Sequence, residues 1–506
     1  MSEWNPAVDD HYDRDLELDA DAIVIGTGAG GAVFASELAE AGKSVIMLEK
    51  GAYNTRKDFN QTEKDMMPLL FEDAGARTTK DGNITILHGK TVGGSTTVNW
   101  AICFDPPAKV LDEWADTYGV ESIRYADLKP HIDKVRFVLN VQKLEPHEVN
   151  ENGRLLFEGA RKIGMQADRF EHSRTKCLGS GFCILGCAYD RKQSMLVTYV
   201  PRALHFGAKL YPNAEVLEFE RTGDRINAVK GVLTNRHTGA KHRFRATGKL
   251  VSVSGGAIST PQTLLRAGIA NESGRLGKNL TLHPTTAIVA VFDHEVKGYQ
   301  GINYTTYVKD LEPEGIIIES VFAYPGLMGA NLYAWGPHAM DVMARYNHLA
   351  AAIVLLHDDG RGEVSVDKYG LPVIDYRVSP KDQAKFRRGL KAVARIYFAM
   401  GAKKVIVPHS AGVELASEAE LDKIDRMALD VDKLATFSAH QMGTAMMGSD
   451  PARSVTDSWG KVHGYENLYV VDGSLFPTSI GVNPQISIAS LATRCARHVV
   501  ESTKTL

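Results

Sequence analysis

Gly26, Gly28 and Gly31 stand between an apolar run at residues 22–25 and a stretch of helical period at residues 33–42. In this G-x-G-x-x-G spacing the first glycine allows a tight turn. The second lets a pyrophosphate approach the backbone, and the third lets helix and strand pack closely. Gly42 is a natural helix stop, and residues 44–51 read as a second strand. The continuous apolar character of residues 22–25 suits a strand buried on both faces of a parallel sheet. The segment is therefore expected to fold as one βαβ unit whose helix N-terminus offers free N–H groups to an anion. Glu49 follows at the end of the second strand, about twenty residues on, where an acid binds ribose hydroxyls. A dinucleotide site is expected, although the glycines alone do not separate FAD from NAD.

A chain of 506 residues exceeds what one hydrophobic core usually organises, so two domains or a large domain with a cap are expected. The net charge of −3 argues against nucleic acid or an anionic membrane as partner, since either favours a basic patch. No apolar run reaches the roughly eighteen residues that span a bilayer. The first twenty-one residues are acidic and polar, unlike a secretory signal, and a cytoplasmic location is expected.

Several segments at residues 206–254 read as strands, and residues 250–254 run into Gly255-Gly256. From 284 to 407 apolar and alternating runs separated by turns suggest an antiparallel sheet, with an amphipathic helix at 381–400. The expected fold class is α/β: a Rossmann-like nucleotide-binding domain built from separated segments, plus an α+β substrate domain with an antiparallel sheet. The segments are placed at 17–110, 195–283 and 440–506 for the first and 284–439 for the second, with 111–194 as a connecting or cap segment.

Beyond GTGAGG, the chain carries HGKTVGGSTTVNWA, VSVSGGAISTPQTLLRAGI, LGKNLTLHP, AHQMGTAMMG and VVDGSLFPTSIGVNPQISIASLA, in that order. This succession resembles the glucose-methanol-choline (GMC) oxidoreductases over nearly the whole length. CLGSGFCILGC, KQSMLVTYVPRAL and AAIVLLHDDGRGEVSV resemble the long-chain alcohol oxidases of that family, with sterol oxidases next. The resemblance implies FAD as cofactor. Gly26, Gly28, Gly31 and Glu49 would bind its ADP half, and Val216 would meet the adenine. Asp472 and Gly473 would bind the pyrophosphate and ribityl region. Gly93, Gly94 and Asn99 would sit near the flavin, with Asn483 and Pro484 beside its ring. Some members link flavin to a histidine just before the asparagine of the first signature. Val98 stands there, so FAD is expected to be non-covalent, with His88 the nearest histidine.

Oxidising an alcohol needs a base for the hydroxyl proton and a donor for its oxygen. His440 is the expected base, matching the family's catalytic histidine, and Asn483 the expected donor. Pro484 disfavours helix at Asn483 and so helps fix its side chain. His283 is a further candidate near the cofactor, as readily a residue that only terminates an element. His357 and Glu319 fall in the substrate module and are candidates for lining its cavity. Cys177, Cys183 and Cys187 cluster, with His172 the one conceivable fourth ligand. The spacing lacks the C-x-x-C pairs of a zinc site, and free thiols or one disulfide are expected rather than metal. Large apolar residues at 316–336 and 340–356 suit a tunnel for a hydrophobic primary alcohol, but also a plain core. The expected function is FAD-dependent oxidation of such an alcohol, using oxygen or an electron carrier as acceptor. Oxidation of a sterol or sugar, or a non-redox FAD-containing lyase, are the alternatives.

Overall fold

The computed structural model describes residue 8 and residues 10–332, 336–429 and 433–502. Tyr333, Ala334 and Trp335 of the apolar tract lie outside the described residues. The chain builds two main sheets. The strand Leu16–Ile25 pairs in parallel with Val45–Leu48 on one side and Lys241–Val253 on the other. Lys209–Tyr211 extends the parallel edge beyond Val45–Leu48. The antiparallel pair Arg225–Thr234 and Ala214–Thr222 follows Lys241–Val253, and Leu468–Val470 joins it in parallel from far along the chain. Ile23, Val24, Met47 and Val251 are fully buried, as a sheet covered on both faces demands. The helix Gly31–Glu40 packs against it and against the C-terminal helix Gln485–Ser502.

The second sheet has nine strands among the described residues. Its centre is antiparallel: Thr285–Val291, Leu349–Leu356, Ile316–Ser320 and Thr306–Val308. The side chains alternate. Ile316, Ile318, Val354 and Leu356 pack with Phe386, Leu390 and Val393 of the helix Pro380–Ala399. Ser379 caps that helix, accepting from the Asp382 N–H at 3.1 Å. Glu319, Ile353 and Leu355 point the other way, into a cavity. So most of the apolar tract at 316–332 is core: Phe322, Met328 and Leu332 form a separate buried cluster.

Two segments depart from the expected division. Ile84–Ile86, inside the span assigned to the nucleotide unit, pairs with Thr436–Ser438 and so joins the second sheet. Ala167–Arg169, inside the connecting span, forms its edge beside Thr306–Val308. Both are three-residue strands, too short for periodicity to reveal. No helix among the described residues is long and apolar enough to cross a membrane.

Candidate active site

One continuous cavity runs from Val216 and Arg266, past Gly26–Gly30, Glu49 and Asp472, to His440, Asn483 and Glu319. The glycine turn forms its first wall. Gly26 has φ +100, and a Cβ there would lie 2.4 Å from the Ser254 carbonyl oxygen. A Cβ on Gly31 would lie 2.1 Å from the Gly26 oxygen, so Gly31 serves close packing and does not line the cavity. Gly28 has only the Gly94 Cα, at 4.0 Å, near a would-be Cβ. Gly30, which the fingerprint passes over, is as constrained: its Cβ would meet the Val471 oxygen at 1.9 Å.

Thr27 stitches this wall together. Its N–H and hydroxyl both donate to Glu49 Oε2, at 2.9 and 2.7 Å, while Gly51 N–H donates to Oε1 at 2.8 Å. The same hydroxyl accepts from the Gly93 N–H at 3.0 Å. Gly93 itself does not line the cavity, whereas Gly94 and Asn99 do. Asn99 donates to Gln485 Oε1 at 2.7 Å, which fixes it to the start of the C-terminal helix. Its carbonyl, with those of Thr97 and Cys183, accepts from the buried Lys192 ammonium at 2.7–2.8 Å. Burial lowers the Lys192 pKa to about 8.

Asp472 accepts from Gly256 N–H at 2.8 Å, Thr260 hydroxyl at 2.5 Å and Ser474 N–H at 2.8 Å. Burial pushes the Glu49 and Asp472 pKa values up while these donors pull them down. Asp472 Oδ1 and Oδ2 and Glu49 Oε2 each already accept from two donors, so Glu49 Oε1, with Gly51 N–H alone, is the oxygen with lone-pair capacity to spare. Val216 lines the far end, its carbonyl held by Arg266 at 2.6 Å; Gly473 and Pro484 line the near end. Val98 and His88 also face the cavity, and burial lowers the His88 pKa to about 4.

At the near end the walls become apolar: Trp100, Ile102, Tyr304, Ile353, Leu355 and Phe437. His440 follows the strand Thr436–Ser438, and its N–H reaches Ser438 Oγ at 3.3 Å. Its Nε2 lies 3.5 Å from Asn483 Nδ2. The helix Gln485–Ser502 starts directly after Pro484, leaving Asn483 at its mouth. Burial lowers the His440 pKa to about 4, so the ring is neutral near pH 7.

Behind His440 lies His283, with no exposed surface. Its φ of +46 is held by Asp358, which accepts from the N–H groups of Leu282 and His283 at 2.9 and 3.3 Å. Tyr376 and Ser479 also donate to that carboxylate, each at 2.7 Å. Gly481 N–H donates to His283 Nε2 at 2.9 Å, and His283 Nδ1 lies 3.4 Å from His440 Nδ1. His357 sits against Gly481 and does not line the cavity. Glu319 does: it is 1 % exposed, its Oε1 has no partner, and Asn483 Oδ1 is likewise unpartnered. A buried acceptor left alone costs about 1–3 kcal/mol. Burial raises the Glu319 pKa to about 8, opposed by its hydrogen bond from Asn483.

All five cysteines are free thiols. Cys177, Cys183 and Cys187 do not bring their sulfurs within metal-ligating reach as a set. Among the described residues one group of three does, Asp10, His11 and His237, two of them exposed. His172 is buried in a short strand.

The cavity suits an extended dinucleotide. Glycines line one half, two buried acids flank it, and the catalytic-type residues sit at its end. Comparison with known proteins agrees. Models described as GMC oxidoreductase match residues 67–285 and 358–492, and an FAD binding domain matches 21–57. An uncharacterised GMC-type oxidoreductase of Mycobacterium tuberculosis is 32% identical over 95% of this chain and 76% of its own length. A long-chain-alcohol oxidase of Arabidopsis thaliana is 29% identical over 97% of this chain and 69% of its own. The crystal structure of pyridoxine 4-oxidase from Mesorbium loti superposes with a TM-score of 0.72, covering 94% of this chain and 98% of that one at 17% identity. This chain belongs to the GMC oxidoreductase family, and FAD is its cofactor.

Proposed function

We propose that the protein oxidises the CH–OH group of a hydrophobic alcohol, a long-chain primary alcohol above all, to the carbonyl. One observation carries the reading. The polar atoms His440 Nε2 and Asn483 Nδ2 converge 3.5 Å apart at the apolar end of the cavity whose other end is the glycine cradle. FAD, when bound along that cradle, supplies the hydride acceptor. The chain's own contribution is to grip the substrate oxygen between His440 and Asn483 and to exclude water with Ile353, Leu355 and Phe437. His440, neutral near pH 7, takes the proton-accepting role. The flavin is held without a covalent bond, so acid precipitation leaves it in the supernatant. The long-chain-alcohol oxidases among the relatives favour a long aliphatic substrate. The test is anaerobic titration of the oxidised flavin spectrum with aliphatic, aromatic, sterol and sugar alcohols. Bleaching by the long aliphatic alcohols at the lowest concentrations is expected. Failure of every alcohol to bleach it refutes the reading and favours non-redox chemistry. Hydrogen peroxide formed under air identifies oxygen as the acceptor; its absence identifies a carrier.

A further inference from the structure

We propose that Asp10, His11 and His237 form a binding site for one divalent transition-metal ion, best zinc, at the edge of the parallel sheet. None of the three lines the cavity. Each offers one ligand atom, and these atoms lie within 4.8 Å of one another. Asp10 Oδ1 stands 3.3 Å from His11 Nε2. The rings of His11 and His237 are nearly parallel, at 11°, with centroids 4.6 Å apart.

The donor set selects the ion. Two imidazole nitrogens and one carboxylate oxygen suit zinc, copper or nickel, whereas calcium and magnesium prefer oxygen alone. Ligand distances of about 2.0–2.2 Å put neighbouring donors of a zinc tetrahedron roughly 3.3 Å apart. Asp10 and His11 already have that spacing. The widest pair, 4.8 Å at most, has to close by about 1.5 Å. Both imidazoles are exposed, so they can turn about their side-chain bonds without displacing the core. Three protein ligands leave a fourth position for water.

Exposed histidines beside an acid are commonplace; here the backbone beneath them is fixed. Asn235, buried, joins the two segments. Its Nδ2 donates to the Tyr12 carbonyl, next to His11, at 2.8 Å. Its Oδ1 accepts from the N–H groups of His237 and Thr238 at 2.9 and 3.0 Å. Tyr12 is 2 % exposed, and its hydroxyl donates to the Pro212 carbonyl at 2.6 Å. One amide thus holds both imidazole-bearing stretches in place across 223 positions of sequence. The metal has only side-chain rotations left to order, which lowers the cost of binding. A bound ion ties the N-terminal arm to the turn between Arg225–Thr234 and Lys241–Val253. Pro212 in turn sits between Tyr211 and Asn213, whose backbone groups bond those of Glu49 and Gly51. Because the unfolded chain keeps none of this geometry, the ion stabilises the folded state.

The experiment is calorimetric titration of zinc sulfate into untagged, FAD-loaded protein that has been stripped with a chelator. It is run on the parent, on His11→Ala and His237→Ala, and on His338→Ala as a control, since His338 has one acid beside it, Glu414, and belongs to no such group. The FAD spectrum checks folding. Expected are one ion per chain in the parent and the control, and affinity at least about tenfold weaker in each of the other two variants. Zinc should raise the melting temperature of the parent and not of those two. Electron paramagnetic resonance of the parent with less than one equivalent of copper(II) should show coupling to two imidazole nitrogens; oxidised flavin gives no signal there. Absence of saturable zinc binding overturns the proposal, as does an affinity within about threefold of the parent in either His11→Ala or His237→Ala. If those variants fail to fold, the copper spectrum decides: fewer than two coupled nitrogens overturns it.

Discussion

Glu49 and Asp472 at one end of the cavity and Glu319 at the other are all buried carboxyls, with 7, 5 and 1 % of their surfaces exposed. The first two are surrounded by backbone N–H groups and hydroxyls. The third has one amide beside it and an oxygen with no partner. The nucleotide end is thus complete before a ligand arrives, and its acids hold the walls in register. The substrate end is left electrostatically unfinished. Preorganised binding and unsatisfied polarity are separate devices, and this chain keeps them apart.

That contrast is open to attack in order of expected effect. Replacing His440 with Ala removes the proposed proton acceptor beside the substrate oxygen. Flavin reduction measured anaerobically should fall about 10²–10⁴-fold, while FAD affinity stays unchanged. Glu49→Gln should do the reverse. An amide cannot accept from both Thr27 and Gly51, so FAD affinity by fluorescence titration should drop about 10- to 100-fold, the equivalent of one charged hydrogen bond at about 1.5–3 kcal/mol. With FAD saturating, the reduction rate should hold. If either variant moves both quantities equally, the two ends are not independent. Thr27→Val removes one neutral hydroxyl from the same wall and should weaken FAD several-fold, about 1 kcal/mol.

A separate effect, on stability rather than on either end of the cavity, concerns acid. Burial holds His172 near pKa 3, far below an unfolded histidine at about 6.5. Between those values the unfolded chain binds more protons, so stability falls as pH drops from about 6.5 toward 3. Thermal melts across that range should show the decline, and His172→Gln should make it shallower. His172 lies outside the cavity, so FAD should not alter that difference.

The glycine turn was legible because every part of it is local: strand, turn, helix and acid fall within thirty residues. His440 and Asn483 were found through motif order, since forty-three positions separate them and nothing between them reports the approach. Gly93 was placed near the flavin by motif resemblance; its N–H is spent on Thr27, a partner that no motif registers. Glu319, in IIIES, was named with His357 as a candidate for lining the cavity, and the strand's alternation turns Glu319 to the cavity face. Lys192 gave no signal at all, because its partners are three carbonyls, and carbonyls belong to every residue. His283 was named as a candidate near the cofactor, but its contact with Gly481 N–H, 198 positions away, left no local mark.

The strand Leu468–Val470 slots beside Lys241–Val253, the Val471 carbonyl presses on Gly30, and Asn483 closes the near end. A ribosome therefore has to deliver the chain as far as Asn483 before the coloured prosthetic group has all its walls. Until then the N-terminal βαβ unit waits with one flank open, and the yellow colour comes late in synthesis rather than with the glycine turn.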